Sequence, residues 1–414
     1  MARPSTLFYF THSYPYGIGE SWKHDELRHL ARHFDRTVVI PLCFAGNRSP
    51  RRPPPGVEAL EPILDEPVSG RVPEIVPQLL ASPRRGYYVR EFNRARVWRR
   101  RSWLRAWATA GLQMETLLRD ERVRSLMHEI DHDAVLVFFW GRGLCDLVPH
   151  LPVRPRQSVV RMHRYDLFET ENDGYIPFRR PLLESVTTAA PSSQAGQDHL
   201  RSLYPDLAER IEAIRMGSVG AGRARPSDDG VLRLVTCSFV APVKRLGLLV
   251  DALSLVRARV DWTHVGDGPL YDELRGAAAT LPTNVTTNFA GRMHAADVLP
   301  FYDGRCLDLF VNVSTSEGVP FSIMEAMSCG IPVLATDVGG TGEIIDDGVG
   351  RLVPKEITAN KLADEIDRFA SLPSPEREQL RRAVHSRWRE RCDADVLAEE
   401  FADFLVSGRR RFRS

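Results

Sequence analysis

Residues 314–333 read STSEGVPFSIMEAMSCGIPV, and the segments on either side make them legible. LDLFVNV (307–313) precedes them as an apolar run of strand length, and PVLAT (332–336) follows as another. The apolar residues through 321–329 predict a helix between the two. Strand, loop, helix, strand is the unit of a parallel α/β sheet. In such sheets ligands bind beyond the carboxyl ends of the strands, which is where 314–319 falls. A helix starting at Phe321 would offer backbone N–H groups without internal partners, a natural receptor for phosphate. Glu317 stands just before that helix and Glu325 about one turn inside it. Carboxylates there can accept hydrogen bonds from sugar hydroxyls on either side of a bound phosphate. The plainer alternative is a loop acid and a helix acid that complements the helix dipole.

The same alternation extends outward. LRLVTC (232–237), THVGDG (263–268), VTTNFA (285–290) and RLVP (351–354) predict further strands, with helical segments between them. Nearer the start, LFYF (7–10), the turn YPYGIGE (14–20), an amphipathic helix through Leu27, Leu30, Ala31 and Phe34, and VVIP (38–41) form another strand–loop–helix–strand unit. VLVFFW (135–140) and SVVRMH (158–163) add two buried strands. The stretch 217–230 has the Gly, Ser, Pro and Asp content of a linker. The expected organisation is a Rossmann-like domain over 1–216, a linker over 217–230 and a second Rossmann-like domain over 231–390. A terminal helix over 391–414 completes it.

Composition narrows the class. The chain has 414 residues, 43% of them hydrophobic and 26% charged, with a net charge of +1. That length calls for more than one core, and that charge gives no general attraction to nucleic acid. The six cysteines form no CxxC pair, so they read as reduced thiols of a cytosolic protein. No apolar run is long enough to span a membrane. No D-x-D or histidine–carboxylate cluster has metal-ligand spacing, so no metal and no cofactor are expected.

The segment EGVPFSIMEAMSCGIPVLATDVGG (317–340) resembles the donor-site signature of the retaining family-4 glycosyltransferases. The resemblance implies the GT-B fold, two facing Rossmann-like doubly wound domains with a cleft between them. It also implies transfer of a sugar from a UDP- or GDP-linked donor to an acceptor hydroxyl, with retention and without metal. By the same resemblance Glu317 contacts the donor sugar and Glu325 the ribose, while Gly318, Val319, Pro320, Phe321 and Ser322 receive the diphosphate or sugar hydroxyls. CSFVAPVKRLGLLVDAL (237–253) places Lys244 at the diphosphate-binding lysine, where a cation stabilises the departing diphosphate. Phe239 stands where the family usually has arginine, and Arg245 is the candidate to supply that charge. FAGRMHAADV (289–298) makes Arg292 and Met293 candidate base contacts. In the first half, Gly17 and Gly19 of YPYGIGE let the backbone approach phosphates or acceptor closely. VVRMHRYDLFE (159–169) places His163 at the active site and Asp166 and Arg164 on the acceptor side, with Arg164 where the family has glycine. The terminal helix is implied to cross back to the first domain.

One segment lies outside these motifs. RRGYYVREFNRARVWRRRSWLRAW (84–107) carries nine arginines against one glutamate, with Trp98, Trp103 and Trp107 interleaved. It fits a surface for anionic lipid, a groove for an acidic or lipid-diphosphate acceptor, or a solvated arginine face with aromatics packed inward. The expected partners are a nucleotide diphosphate sugar and a sugar, lipid-linked or small-molecule acceptor, with no nucleic acid. The expected location is the cytoplasm, at the inner face of the membrane if 84–107 binds lipid. The competing readings are a sugar-nucleotide epimerase or phosphorylase of the same fold, and a non-catalytic basic protein that binds membrane or nucleic acid.

Overall fold

A computed structural model describes residues 6–17, 20, 23–44, 48–220 and 222–408. Gly19 and the basic stretch 409–413 lie outside the described residues. The chain forms two compact units. One comprises the residues up to Ile214 together with those from Ala398 onward; the other is Arg215–Leu397.

The first unit opens with β1 (Thr6–Thr11), α1 (Lys23–Leu30), β2 (Arg36–Pro41) and the short β3 (Val57–Ala59). Helices α2 (Arg85–Arg94) and α3 (Arg101–Arg119) follow, then β4 (Val135–Phe138) and β5 (Gln157–Met162). The short α4 (Arg164–Leu167), α5 (Arg179–Ser185) and β6 (Thr188–Pro191) come next, and a helix over Gln194–Leu203 follows β6. All the strands pair in parallel in the order β3-β2-β1-β4-β5-β6. β3 and β6 are the two strands that sequence periodicity does not separate from their surroundings. β3 has three residues in a proline-rich stretch, and β6 carries only Thr, Ala and Pro.

The second unit repeats the plan. Its elements are β7 (Val231–Cys237), α6 (Leu246–Leu253), β8 (Arg259–Val265), β9 (Val285–Gly291), β10 (Leu309–Asn312), α7 (Phe321–Ser328), β11 (Val333–Thr336) and β12 (Gly350–Val353). The sheet order is β12-β11-β10-β7-β8-β9. Alternation of side chains across the sheet divides its core in two. Leu234, Leu309, Val311 and Leu334 pack on one face, and Val235, Phe310, Val333 and Ala335 on the other. Burying each such side chain stabilises the fold by about 1.5–3 kcal/mol. This explains why these strands read as unbroken apolar runs. Residues 217–230 run along this unit, with the Ala224 N–H bonded to the Cys329 carbonyl and the Arg225 N–H to that of Arg305.

The last helix, α8 (Ala394–Ser407), ends in the first unit. There Glu399 accepts hydrogen bonds from His29 and His33 at 2.8 Å each. Arg161, 1% exposed, pairs with Glu26 at 2.9 Å and lies 4.0 Å from the Phe401 ring centroid. Among the described residues, no helix is long and apolar enough to cross a membrane.

Each sheet reverses its strand order between two neighbours, β1 and β4 in the first unit and β7 and β10 in the second. Loops leaving such a pair diverge to opposite faces and open a crevice at the carboxyl edge. The chemistry-bearing residues gather at these two places.

Candidate functional site

In the second unit, β7 leads to Lys244 and β10 to Glu317. The Lys244 ammonium donates to Glu317 Oε1 at 2.6 Å, and the Asn312 side-chain amide donates to the same oxygen at 3.2 Å. Both ionic side chains are mostly shielded, at 21% and 10% exposure. The loop carrying Glu317 is held from several sides. Thr315 N–H bonds to the Val243 carbonyl at 2.8 Å, the Thr336 hydroxyl donates to the Ser314 carbonyl at 2.6 Å, and Gly340 N–H donates to the Gly318 carbonyl at 2.7 Å.

Beyond that loop α7 begins at Phe321, with no side-chain cap at Pro320. No hydrogen bond among the described residues engages the N–H groups of Gly318, Val319 or Ser322. Such a helix start favours negative charge. Glu325 is one turn in. Its carboxylate makes no hydrogen bond or ion pair among the described residues, and burial pushes it up to about 7. A desolvated carboxylate without a partner costs stability unless something else binds it. Three features therefore follow these strand ends: a shielded cation–carboxylate pair, an open helix start and a half-buried acid without an ion pair.

Other expected residues are placed differently. Arg245 is in the left-handed region at φ 47°, and its Nε donates to the Val313 carbonyl at 2.8 Å. Its guanidinium therefore braces the end of β10, and its Nη2 is buried without a partner. Phe239 is 58% exposed. Arg292 is exposed, whereas Met293 packs against the core of the α7 face.

Sequence reasoning quoted Gly339 without giving it a role. It adopts φ +56°, and a Cβ there would come 1.9 Å from the Glu317 carbonyl oxygen. The glycine lets β11's exit loop press directly on the backbone of Glu317. Gly339→Ala is expected to displace that loop and lower the melting temperature by several degrees, as calorimetry would measure; an unchanged melting temperature would contradict it.

In the first unit a second polar cluster forms at the ends of β1, β4 and β5. Gly17 takes φ 72° in the β1 exit loop. His163 N–H bonds to Asp166 Oδ1 at 2.6 Å, and its Nε2 faces the Phe139 carbonyl at 3.1 Å. That carbonyl requires Nε2 to carry the proton, leaving Nδ1 as the acceptor. Burial, then Arg161 and Lys23, push His163 down to about 3, so the ring is neutral. Asp166 is 1% exposed and accepts from the N–H groups of Gly141 and His163. It joins the ends of β4 and β5 rather than facing outward. Arg164 begins α4 with ordinary backbone and pairs with both oxygens of Glu171, at 2.9 and 2.8 Å, so no glycine is needed there.

Glu20, Lys23 and Trp140 complete that cluster, and sequence reasoning missed them. Glu20 accepts from Ser13 N–H at 2.9 Å, Tyr14 N–H at 2.8 Å and the Trp140 indole at 2.6 Å, and pairs with Lys23. Burial would raise its carboxyl, yet Lys23, Trp140 and Ser13 hold it down to about 2. Lys23, 1% exposed and 3.6 Å from the Phe139 ring centroid, is pushed down by burial to about 8. Its being one of only four lysines was the available signal. Among the described residues, no group of three His, Cys, Asp or Glu side chains could hold a metal ion.

Residues 232–371 match the family described as Glycosyl transferases group 1. This span holds Lys244, Glu317 and Glu325. The chain has the GT-B fold, and its second unit carries the stretch that resembles the group 1 glycosyltransferases. The fold likeness extends over nearly the whole chain. The Anabaena protein Alr3699/HepE, solved in complex with UDP, matches 97% of this chain and 100% of its own, with TM-score 0.61 and 18% identity. The lipopolysaccharide outer core galactosyltransferase WaaB, in apo form, matches 97% of this chain and 99% of its own, with TM-score 0.66 and 13% identity. Among curated relatives, a GDP-mannose-dependent alpha-(1-6)-phosphatidylinositol monomannoside mannosyltransferase of Mycobacterium tuberculosis is 29% identical over 218 residues, covering 49% of this chain and 52% of that protein. An uncharacterized glycosyltransferase of Methanocaldococcus jannaschii, MJ1178, is 32% identical over 126 residues, covering 30% and 34%. The chain thus spans about half or less of the length of these curated relatives.

Proposed function

We propose that the protein is a glycosyltransferase that moves a sugar from a UDP- or GDP-linked donor to an acceptor hydroxyl, with retention of configuration, in surface polysaccharide or glycolipid assembly. The observation that carries this reading is Glu325, an unpartnered carboxylate one turn inside an uncapped helix start. A ribose would satisfy Glu325, a diphosphate would take the free N–H groups of Gly318, Val319 and Ser322, and Glu317 would hold sugar hydroxyls. Lys244 would meet the charge that develops on the departing diphosphate, so no metal enters the proposed step. The UDP bound by the Anabaena protein and the GDP-mannose named for the mycobacterial relative support a nucleotide-sugar donor. In the first unit, the unprotonated Nδ1 of His163 would orient an acceptor or sugar hydroxyl. The proton would leave with the diphosphate, and the protein would act mainly by positioning.

The test is incubation of the full chain with UDP- and GDP-hexoses and a hydroxyl acceptor, with the product's anomeric configuration read by NMR. Retention, with turnover lost in Glu317→Ala, is expected. An inverted product, or unchanged turnover in that variant, would refute the reading. We also propose peripheral contact with anionic lipid through Trp98, 57% exposed, and the exposed Arg99, Arg100 and Arg101. Replacing the three arginines should abolish sedimentation with phosphatidylserine vesicles; unchanged binding removes this part of the account. Trp107 does not take part, being 2% exposed in the core.

A further inference from the structure

One cavity in the first unit belongs to neither polar cluster. About 340 Å³ in volume, it is walled by α2 and α3 on one side and by residues 169–180 and Tyr204 on the other. That volume falls in the range of small-molecule sites. We propose that it binds a neutral sugar unit of a glycan. The inference concerns the first unit alone and does not depend on the transfer reading.

Aromatic side chains supply its apolar surface. The Trp103 and Tyr175 rings lie 5.4 Å apart, tilted by 33°, and Tyr204 lines the same cavity. A pyranose presents patches of C–H groups that pack on aromatic faces, whose negative charge density complements them. Gly174, at φ +89°, brings its backbone against Trp103: a Cβ there would lie 3.5 Å from the indole. Trp103 is fixed by its own N–H, which donates to the Asp173 carbonyl at 2.8 Å.

The polar lining argues for a neutral ligand. Glu91, 4% exposed, accepts from the Tyr175 hydroxyl at 3.0 Å and from Phe178 N–H at 3.1 Å, and pairs with Arg94. Glu169 pairs with His199 at 2.7 Å, and Arg180 with Glu184 at 2.8 Å and with Asp206. Arg179, 2% exposed, donates to the Asp166 carbonyl and to Met162 Sδ. Arg94 and Arg180 are thus matched by carboxylates, and Arg179, which has no ion pair, is 2% exposed, so the cavity offers a phosphate or sulfate no exposed unpaired cation. It does offer donors and acceptors side by side, which suits hydroxyls that both give and accept. The Tyr204 hydroxyl has no hydrogen-bond partner among the described residues, and Arg179 Nε is buried without one.

The full chain, applied to an array of neutral gluco-, manno-, galacto- and N-acetylhexosamine oligosaccharides beside sulfated and phosphorylated ones, tests this. The strongest neutral binder is then titrated calorimetrically into variants. Trp103→Ala should weaken binding at least tenfold, since it removes the stacking wall. Tyr204→Phe, which deletes one oxygen and leaves the packing intact, should weaken it about three- to tenfold. The thermal response of both variants to UDP and GDP should match that of the parent chain, which separates this site from the one in the second unit. Three results would overturn the proposal: no neutral glycan bound above background, binding confined to charged glycans, or full affinity retained by Tyr204→Phe.

Discussion

Replacing Lys244 by alanine is expected to lower turnover by about 10²–10³, the loss seen when one group that stabilises a developing negative charge is removed. The ammonium is the only cation hydrogen-bonded to Glu317 among the described residues, and Arg245 is tied to the end of β10. The substitution has a second effect that must be separated from the first. It strands the Glu317 carboxylate, 10% exposed, with only Asn312 as a hydrogen-bond partner. Breaking a shielded ion pair from one side costs stability, by ~3–5 kcal/mol when fully buried and less here because Lys244 is 21% exposed. A double variant, Lys244→Ala with Glu317→Gln, removes the stranded charge. Its melting temperature should recover toward that of the parent while turnover stays low. Turnover equal to the parent's in Lys244→Ala alone, measured below its melting temperature, would make Lys244 a structural residue only.

Glu325→Gln is expected to weaken nucleotide binding by one to two orders of magnitude while making the free protein more stable at alkaline pH. Both follow from a carboxyl raised to about 7 by burial. The sign is fixed by linkage. Between the ordinary carboxylate range near 4.5 and about 7, the folded protein holds a proton that the unfolded chain has released. Stability from this group is therefore greatest below that window and declines as pH rises through it. Glutamine does not titrate, so the gain in melting temperature over the parent should appear as pH rises from 5 to 8 and level off above it. Nucleotide affinity of the parent should move the other way, improving as the pH rises through 7, because the ionised carboxylate is the stronger hydrogen-bond acceptor. A pH-independent affinity, or a variant no more stable than its parent at pH 8, would contradict the assignment.

Most of the fold was legible because parallel strands buried on both faces read as apolar runs. LDLFVNV and PVLAT become β10 and β11, and LRLVTC becomes β7, each within two residues of the expected ends. The grouping of candidate residues in the second unit was legible for a related reason. Lys244 follows β7, and Glu317 and Glu325 follow β10, its neighbour in the sheet, so the topology that orders the strands also brings Lys244 and Glu317 together. The other cluster was less accessible. Glu20, in the left-handed region at φ 61°, turns inward to meet Lys23 at the start of α1 and Trp140 beyond the end of β4. Nothing local marks a charged side chain for burial, because its partners are set by the three-dimensional register of β1 beside β4. The setting of Asp166 was illegible for the same reason: its two backbone donors come from different strand ends. In 84–107 the composition was plain but the orientation was not. Trp98 faces outward, Trp107 enters the core and Trp103 lines a cavity.

The central claim is that the start of α7 receives a nucleotide diphosphate, and amide hydrogen exchange measured with and without UDP and GDP tests it most directly. With at least one of the two nucleotides at saturating concentration, the account predicts slowed exchange at Gly318, Val319 and Ser322, and no slowing in Lys244→Ala at the same concentration. Unchanged exchange over 318–322 with both nucleotides, or equal slowing in Lys244→Ala, would contradict it.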